Sequence, residues 1–210
     1  MQSLVVIDYG MGNLRSVAKA FERAARDAGL PVAVTVSGDA GAVRAADRVV
    51  FPGQGAMPDC MRHLHASGLD DAVRAAARDK PFLGICVGMQ MLFDRSEEGD
   101  TPGLALVGGA VRRFRPVDAT LKVPHMGWNR VDWAMPHPLF AGIDSGERFY
   151  YVHSYYCVPA QDAVAVASTV YGERFTAAIA RDNIFATQFH PEKSHRAGLL
   201  FYRNFLTWRP

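Results

Sequence analysis

The stretch Gly84-Ile85-Cys86-Val87-Gly88, preceded by Phe82-Leu83 and followed by Met89-Gln90-Met91-Leu92-Phe93, decides the fold of this chain. An apolar strand that turns sharply into a helix at a cysteine between two glycines is the pattern of a nucleophile elbow. Glycine two residues to either side of Cys86 tolerates the crowding and the strained dihedral angles of that turn. The turn places the sulfur at a helix N-terminus, where the helix dipole favours the thiolate. A cysteine that is only packed in a core needs neither glycine, so the spacing predicts a nucleophilic Cys86.

A partner for this nucleophile lies far downstream, where the strand-like segment Ile184 to Phe189 ends in His190-Pro191-Glu192. In an extended chain, residues two apart point to the same side, so Glu192 is expected beside the imidazole of His190. A carboxylate there would fix the tautomer of the histidine and stabilise the imidazolium. A histidine at a strand end is by itself more often a solvated polar residue. Together with the elbow, it predicts a Cys86–His190–Glu192 triad.

Composition favours a globular enzyme of the cytoplasm. The chain has 210 residues, 49% of them hydrophobic, which suits a single domain over residues 1–210. A net charge of +2 with interspersed signs gives no reason to expect nucleic acid or a membrane surface as partner. The three cysteines, Cys60, Cys86 and Cys157, are widely separated, which disfavours a disulfide framework and a metal site. No targeting segment or membrane-spanning run is evident, and no cofactor or metal is expected.

Strands and helices alternate through the first half of the chain. Strands are predicted over Leu4 to Asp8, Val32 to Val36, Arg48 to Phe51 and Lys80 to Ile85, and helices over Leu14 to Ala28 and Val73 to Arg78. The second half reads as β-hairpin strands, including Ala163 to Val170 and Phe175 to Ala180, before a helix over Arg196 to Leu206. The pattern predicts an α/β domain whose mostly parallel sheet is flanked by helices, with extra hairpin strands after its first half. Functional residues then belong at the carboxyl ends of the strands.

Two glycine-rich loops follow strands. Gly10-Met11-Gly12 lacks the third glycine of a dinucleotide fingerprint, and no Gly-Lys-Ser/Thr occurs, which disfavours nucleotide binding. Pro52-Gly53-Gln54-Gly55 can expose backbone N–H groups toward a developing oxyanion. The donors would be the N–H of Val87 and the Gly53–Gln54 backbone. A plain strand-to-helix turn explains this loop equally well.

These motifs resemble those of the class I, triad-type glutamine amidotransferases, whose fold is flavodoxin-like. The elbow through Gln90, the segment Gln188 to Ser194 and the loop Pro52 to Gly55 carry the resemblance. Within this family, the chain most resembles the glutaminases that serve histidine biosynthesis. The residues that carry this closer resemblance are Asp8 to Leu14, Pro124 to Asn129 and Tyr150 to Tyr155. The resemblance implies that L-glutamine is hydrolysed to glutamate and ammonia through a glutamyl thioester on Cys86. The family often has a small apolar residue where this chain has Gln54, but the loop offers its backbone.

The resemblance also implies residue roles and a partner. Gln90, His153, Ser154 and Tyr155 would seat the glutamine. Asn13, Trp128, Tyr150 and Lys193 would contact a cyclase subunit with a (β/α)8 barrel, in a heterodimer. That cyclase uses the ammonia to make imidazole glycerol phosphate and an aminoimidazole carboxamide ribotide. The residues alone leave other roles open: Gln90 as an ordinary polar residue at a cleft edge, the polar groups of His153 to Tyr155 as loop caps, and Trp128 and Tyr150 as core aromatics.

Three functions remain compatible with the motifs. The first is an ammonia-supplying glutaminase, in this pathway or as the subunit of another amidotransferase. No second domain is evident to accept ammonia, and ammonia released into water is protonated, so such a chain is expected to dock on a synthase. The second is a stand-alone cysteine hydrolase of γ-glutamyl compounds, which would be fully active without a partner. The third is a non-enzymatic module, which would normally have lost a triad residue.

Overall fold

The computed structural model describes residues Met1 to Pro210, built around a sheet of eleven strands with a separate pair of strands beside it. The strands are β1 (Gln2–Ile7), β2 (Val32–Ser37), β3 (Arg48–Gly53), β4 (Phe82–Cys86), β5 (Arg95–Ser96), β6 (Thr101–Pro102), β7 (Gly109–Arg113), β8 (His125–Arg130), β9 (Arg148–His153), β10 (Tyr155–Pro159), β11 (Ala165–Tyr171), β12 (Glu173–Arg181) and β13 (Ile184–Thr187). The helices are α1 (Leu14–Asp27), α2 (Ala40–Ala45), α3 (Met57–Ser67), α4 (Asp70–Asp79), α5 (Val87–Gln90) and α6 (His195–Thr207). Short 3-10 turns cover Glu98–Asp100, Pro138–Phe140, Asp162–Val164 and Pro191–Lys193.

The parallel half of the sheet has the order β2-β1-β3-β4-β13. This is the flavodoxin-like arrangement, so the predicted fold class is confirmed. The β3 and β4 segments are buried along their whole length and are apolar apart from Arg48 at the start of β3, as expected for strands covered by helices on both faces. The carboxyl ends of β1, β3, β4 and β13 therefore meet at one edge, and every loop singled out from the sequence follows one of these ends.

The other half of the sheet is largely antiparallel and continues from β13 through β12, β10, β7, β5 and β6, with β11 paired on β12. The hairpin strands predicted over Ala163 to Val170 and Phe175 to Ala180 correspond to β11 and β12, although Ala163 and Val164 lie in a 3-10 turn. Strands β8 and β9 form their own two-stranded sheet, which pairs His125 with His153. This small sheet lies next to the segment His190 to Ser194, called here the triad loop, because the His190 N–H donates to the Tyr150 carbonyl.

Helices α1 and α6 pack against each other on one side of the sheet. Phe21 of α1 stacks on Tyr202 of α6 at 3.9 Å between ring centroids. Gly29, one residue beyond the C-cap of α1, has a left-handed φ of +64°. No helix of the structure combines the length and the apolar character that a lipid bilayer crossing would require.

The helix predicted to follow the elbow over the run Met89 to Phe93 lies earlier in the chain, because it begins at Val87 directly after the nucleophile. It ends at Gln90, because the carbonyls of Met91, Leu92 and Phe93 accept hydrogen bonds from the segment 104–107 instead of continuing the helix. A single turn has only a small dipole, so the dipole argument for a Cys86 thiolate loses most of its weight. Helix α2 was not predicted, since a helix of only six residues is too short to show a helical periodicity.

Candidate active site

The elbow is built as tightly as its two glycines suggest. Cys86 ends β4 with φ of 55° and ψ of −113°, a conformation that non-glycine residues rarely adopt. A Cβ on Gly88 would lie 1.9 Å from the carbonyl oxygen of Phe51, and one on Gly84 would lie 3.0 Å from the Cβ of Ala186. The neighbouring strands thus leave no room for side chains on either side of Cys86.

His190 and Glu192 are hydrogen-bonded, with 2.8 Å between Nδ1 and Oε1, and their side chains are 6% and 1% exposed. The two residues were predicted to meet because they lie two apart in an extended strand, but they meet through a turn instead. Strand β13 ends at Thr187, and the 3-10 turn Pro191–Lys193 folds the carboxylate back onto the imidazole. The Tyr202 hydroxyl donates to the other carboxylate oxygen at 3.3 Å. The carboxylate therefore accepts from two side chains and holds the ring from the Nδ1 side.

The free nitrogen of the same ring faces the site of chemistry. The Nε2 atom of His190 is buried and makes no hydrogen bond of normal geometry within the chain. Burial alone would lower the pKa of His190, but its interactions with Cys86 and Glu192 outweigh burial and raise that pKa to about 10. The arrangement thus favours an imidazolium next to the sulfur and can deliver a proton from Nε2.

A row of buried amides approaches the sulfur from another side. The Nε2 atom of Gln188 donates to Cys86 Sγ at 3.7 Å, and the Nε2 atom of Gln90 donates to Oε1 of Gln188 at 3.0 Å and to the Tyr155 carbonyl at 3.2 Å. Gln90 thus lies in the cleft, a position that both interpretations of this residue share. Its own Oε1 accepts no hydrogen bond within the chain and can receive one from a ligand.

A cavity of about 340 Å³ opens over the sulfur. Its lining is Gln54, Gly55, Cys86, Val87, Gln90, Glu98, Pro124, Val152, His153, Ser154, Tyr155, His190 and Lys193. The structure therefore brings together the predicted nucleophile, base and glutamine-seating residues. Two predicted site residues, Glu192 and Gly53, do not line the cavity. Glu192 lies behind His190 and contacts its ring, and Gly53 packs against the elbow. Asn13, Trp128 and Tyr150 do not line the cavity. Its size suits an amino acid rather than a polymer.

The loop after β3 is held on both sides of the Gly53–Gln54 peptide. The Tyr9 hydroxyl donates to the Pro52 carbonyl at 2.9 Å, and the Cys60 thiol donates to the Gln54 carbonyl at 3.3 Å. Burial raises the pKa of the Cys60 thiol, which keeps it in the donating form. A Cβ on Gly53 would lie 2.7 Å from the N atom of Gly88, so the loop packs directly on the elbow. Both predicted oxyanion segments are thus adjacent.

His153 makes a structural hydrogen-bond chain rather than an open contact. Its Nδ1 bonds the Tyr155 carbonyl at 2.7 Å, and its Nε2 bonds Nδ1 of His125 at 2.9 Å. Asn129 bonds the remaining nitrogen of His125 at 3.2 Å. The Tyr155 carbonyl only accepts, so His153 carries a proton on Nδ1. The Asn129 NH2 also donates to the Val170 carbonyl, so it must donate to Nε2 of His125, which leaves both rings neutral with their proton on Nδ1. Burial lowers the pKa of His125 to about 4 and that of His153 to about 3, which agrees with neutral rings.

The residues predicted to contact a partner lie outside the cavity, except for Lys193 at its rim. Trp128 is 42% exposed, stacks on His195 at 5.0 Å and meets the edge of the Tyr150 ring at 6.1 Å. The Lys193 ammonium lies 5.5 Å from the centroid of the Tyr150 ring. Neither aromatic residue is part of the buried core. Asn13 precedes α1, and its side chain makes no capping hydrogen bond.

Several residues of the site were missed by the sequence reasoning. Glu98 contributes the only carboxylate of the cavity lining, and one of its oxygens accepts from the Met57 N–H at 2.7 Å. Nothing in its local sequence distinguishes it. Gln188 begins the motif Gln188 to Ser194 and precedes His190 by two residues, but no role was predicted for it. Gly198 of α6 touches the triad loop so closely that a Cβ there would lie 1.8 Å from the Pro191 carbonyl oxygen.

Comparison with known proteins assigns the chain to one family of enzymes. The family model described as Glutamine amidotransferase class-I matches residues 5–207. The chain is 57% identical over 216 residues to the imidazole glycerol phosphate synthase subunit HisH of Aromatoleum aromaticum, with 100% of both chains covered. It is 58% identical over 215 residues to the protein of the same name from Dechloromonas aromatica, covering 100% of this chain and 98% of that one. The Neisseria meningitidis protein of that name is 54% identical over 208 residues, covering 97% and 98%.

Solved structures show the same fold at low sequence identity. A glutamine amidotransferase crystal structure superimposes with a TM-score of 0.71 at 16% identity and covers 97% of each chain. A glutamine amidotransferase from Thermotoga maritima gives a TM-score of 0.62 at 15% identity, covering 93% of this chain and 78% of that one.

Proposed function

The chain belongs to the class-I glutamine amidotransferases, and we propose that it is the glutaminase subunit of an imidazole glycerol phosphate synthase, acting in the histidine biosynthesis of the cytoplasm. In this role residues 1–210 form one glutaminase domain that hydrolyses L-glutamine and passes ammonia to a cyclase subunit. The observation that carries the proposal is the buried His190–Glu192 pair in the cavity of the Cys86 elbow. The full-length similarity to HisH proteins supports the pathway.

The first half of the reaction forms a thioester. The Cys86 thiolate attacks the γ-carboxamide carbon of glutamine, and a C–S bond forms while the carbonyl oxygen takes up negative charge. The N–H of Val87 and the Gly53–Gln54 peptide are the donors for that oxyanion. One such donor is worth about 3–4 kcal/mol of transition-state stabilisation. His190 then gives its proton to the amide nitrogen, the C–N bond breaks, and ammonia leaves.

The second half returns the enzyme to its starting state. Water loses a proton to the Nε2 atom of His190 and adds to the thioester carbon, and the C–S bond breaks to give glutamate. The imidazolium formed in each cycle is stabilised by Glu192, which is in turn held by Tyr202. A raised pKa at His190 suits this role, because the ring must hold a proton while the sulfur is an anion.

The cavity also has groups that distinguish glutamine from a simple amide. The free carboxylate oxygen of Glu98 and the free Oε1 of Gln90 are acceptors for the α-ammonium group of the substrate. Ser154 also lines the cavity. We expect Glu98→Gln to raise KM for glutamine by about tenfold or more, since an ion pair to the ammonium is lost.

The cyclase would dock where the cavity reaches the surface. Pro124, Met126 and Trp128 are exposed at alternate positions leading along β8, so they share one face, and Met126 and Trp128 are 63% and 42% exposed. Pro124 lines the cavity and Trp128 lies beyond it, so this apolar strip extends from the ammonia source to the outside. Lys193 is adjacent in sequence to Glu192 and could report a partner carboxylate to the triad loop. Asn13 belongs to the same proposed interface.

Glutaminase activity measured with and without a (β/α)8-barrel cyclase and its nucleotide ligand tests the proposal. We expect low activity alone and strong stimulation by the liganded cyclase. Lys193→Ala should weaken the stimulation, whereas Lys19→Ala, an exposed lysine on α1, should leave it unchanged. Full activity without the cyclase would favour the stand-alone hydrolase instead. No glutamine turnover under either condition would overturn the proposal.

A further inference from the structure

We propose that Gln188 is a further catalytic residue, whose amide N–H stabilises the Cys86 sulfur in its anionic form. This inference rests on the proposed function for its place in the reaction, but the contact itself is independent of the substrate. Gln188 is fully buried and does not line the cavity, so it has no surface to offer to glutamine. Its Nε2 donates to Cys86 Sγ at 3.7 Å.

The orientation of the Gln188 amide is fixed by its neighbours rather than by the sulfur. The Tyr155 carbonyl can only accept, so the Nε2 of Gln90 must face it. The second N–H of that group then meets Gln188, which must present Oε1 in return. This leaves the Gln188 NH2 group pointing at Cys86. The Tyr155 carbonyl is itself held by His153. The sulfur thus meets a donor that cannot turn into an acceptor.

A fixed donor favours the thiolate over the thiol, because only the anion is a strong acceptor. It also remains in place when the negative charge returns to sulfur as the thioester breaks. His190 is also protonated at that moment, but it gives its proton to the ammonia and regains it from water within each cycle, whereas the Gln188 donor does not change. Gln188 therefore complements His190, one as a permanent donor and the other as a proton carrier.

Alkylation of Cys86 by iodoacetamide across a range of pH tests the inference without any substrate. The variant Gln188→Met keeps the volume and removes the donor. We expect its alkylation rate at pH 7 to fall about tenfold and the midpoint of its pH profile to rise by about one pH unit, as for loss of a hydrogen bond to a charged group. The titratable groups around the sulfur are His190 with Glu192, Glu98, Lys193, His153, Tyr155, Tyr9, Cys60 and Cys157, and all of these residues stay unchanged in the variant.

Thr187→Val is the matched control. Thr187 is the residue before Gln188, and its hydroxyl donates a buried hydrogen bond to the Phe189 carbonyl. The substitution removes this bond and leaves the hydrogen bond to the sulfur in place. We expect it to lose similar stability with an unshifted alkylation profile. In glutamine turnover with the cyclase present, Gln188→Met should lower kcat about tenfold or more with KM nearly unchanged. A Gln188→Met profile that matches wild type or Thr187→Val would overturn the inference. Failure of the proposed function would show differently, as absent glutamine turnover in the wild type with the alkylation shift intact.

Discussion

Replacing Gly88 by alanine is expected to destabilise the protein far more than the same replacement at Gly68. The new methyl of Gly88→Ala would lie 1.9 Å from the Phe51 carbonyl oxygen and 3.0 Å from its carbon. Real Cβ contacts are not shorter than about 3 Å, so β3 and the elbow must separate by about 1 Å in an interior packed at crystal density. Yet β3 and β4 are paired across this point, Pro52 with Ile85 and Gly53 with Cys86.

The magnitude follows from these contacts. Overpacking costs about 1–3 kcal/mol, and each weakened ladder hydrogen bond adds about 1 kcal/mol, so we expect a loss of about 3–5 kcal/mol. That is a large share of the roughly 5–15 kcal/mol by which a domain is stable. Gly68, which ends α3, has a φ of +68° but no neighbouring atom within 4 Å of the place that a new methyl would take. Gly68→Ala therefore bears only the left-handed strain of about 1–2 kcal/mol.

Urea unfolding followed by circular dichroism measures both losses as differences in midpoint at constant slope. Gly84→Ala serves as a milder test, because its nearest neighbour is the Cβ of Ala186 at 3.0 Å. Removing that methyl with Ala186→Gly should recover part of the loss in the double variant, which a double-mutant cycle detects. If Gly88→Ala is no less stable than Gly68→Ala, the steric account of the elbow is wrong.

Three further outcomes are expected. Cys86→Ala and Cys86→Ser should abolish glutamine hydrolysis with the fold intact. A glutamine-derived diazo-ketone should label Cys86 but neither Cys60 nor Cys157, and peptide mass mapping would identify the labelled residue. His190→Asn should lose about 10³–10⁴-fold in kcat, and Glu192→Gln should lose less, because an amide still orients the ring but stabilises its cation poorly; steady-state kinetics would contradict this if Glu192→Gln were the weaker enzyme. Since burial lowers the pKa of His125 to about 4 and of His153 to about 3, their contribution to stability is present above about pH 6.5 and is lost as pH falls toward 4, where only the unfolded chain takes up protons. His125→Gln should therefore flatten the pH dependence of the unfolding free energy by about 1.4 kcal/mol per pH unit between pH 6 and 4.5.

The fold was predictable from sequence because its parallel strands are short apolar runs between recognisable helices. The elbow was equally predictable, since its Gly-x-Cys-x-Gly spacing is a local pattern, although the atoms that exclude side chains at Gly84 and Gly88 include Phe51 and Ala186 of neighbouring strands. The short helix after it was not, because its end depends on hydrogen bonds from the segment 104–107, which no periodicity reveals.

The site was predictable only where chemistry and turn residues coincide. Cys86, His190 and Glu192 stand in motifs, so their meeting could be foreseen, although the turn that brings Glu192 back could not. Glu98 lies in a short turn and Tyr202 in a helix, and tertiary packing brings both to the site. No motif in the neighbouring sequence distinguishes either residue. Gln188 offered one signal, its even spacing from His190 in an extended segment.

The two held carbonyls beside the Gly53–Gln54 peptide limit how a change in this loop can be observed. With Pro52 anchored by Tyr9 and Gln54 by Cys60, rotation of the peptide between them would exchange the directions of its N–H and C=O while both Cα atoms stay in place. Two states related in this way have the same scattering profile and the same distances between attached fluorophores. Nuclear magnetic resonance would distinguish them, through the amide nitrogen shift of Gln54 and the carbonyl carbon shift of Gly53. Rotation of this one peptide plane would thus add or remove a hydrogen-bond donor to the oxyanion while the rest of the protein keeps its conformation.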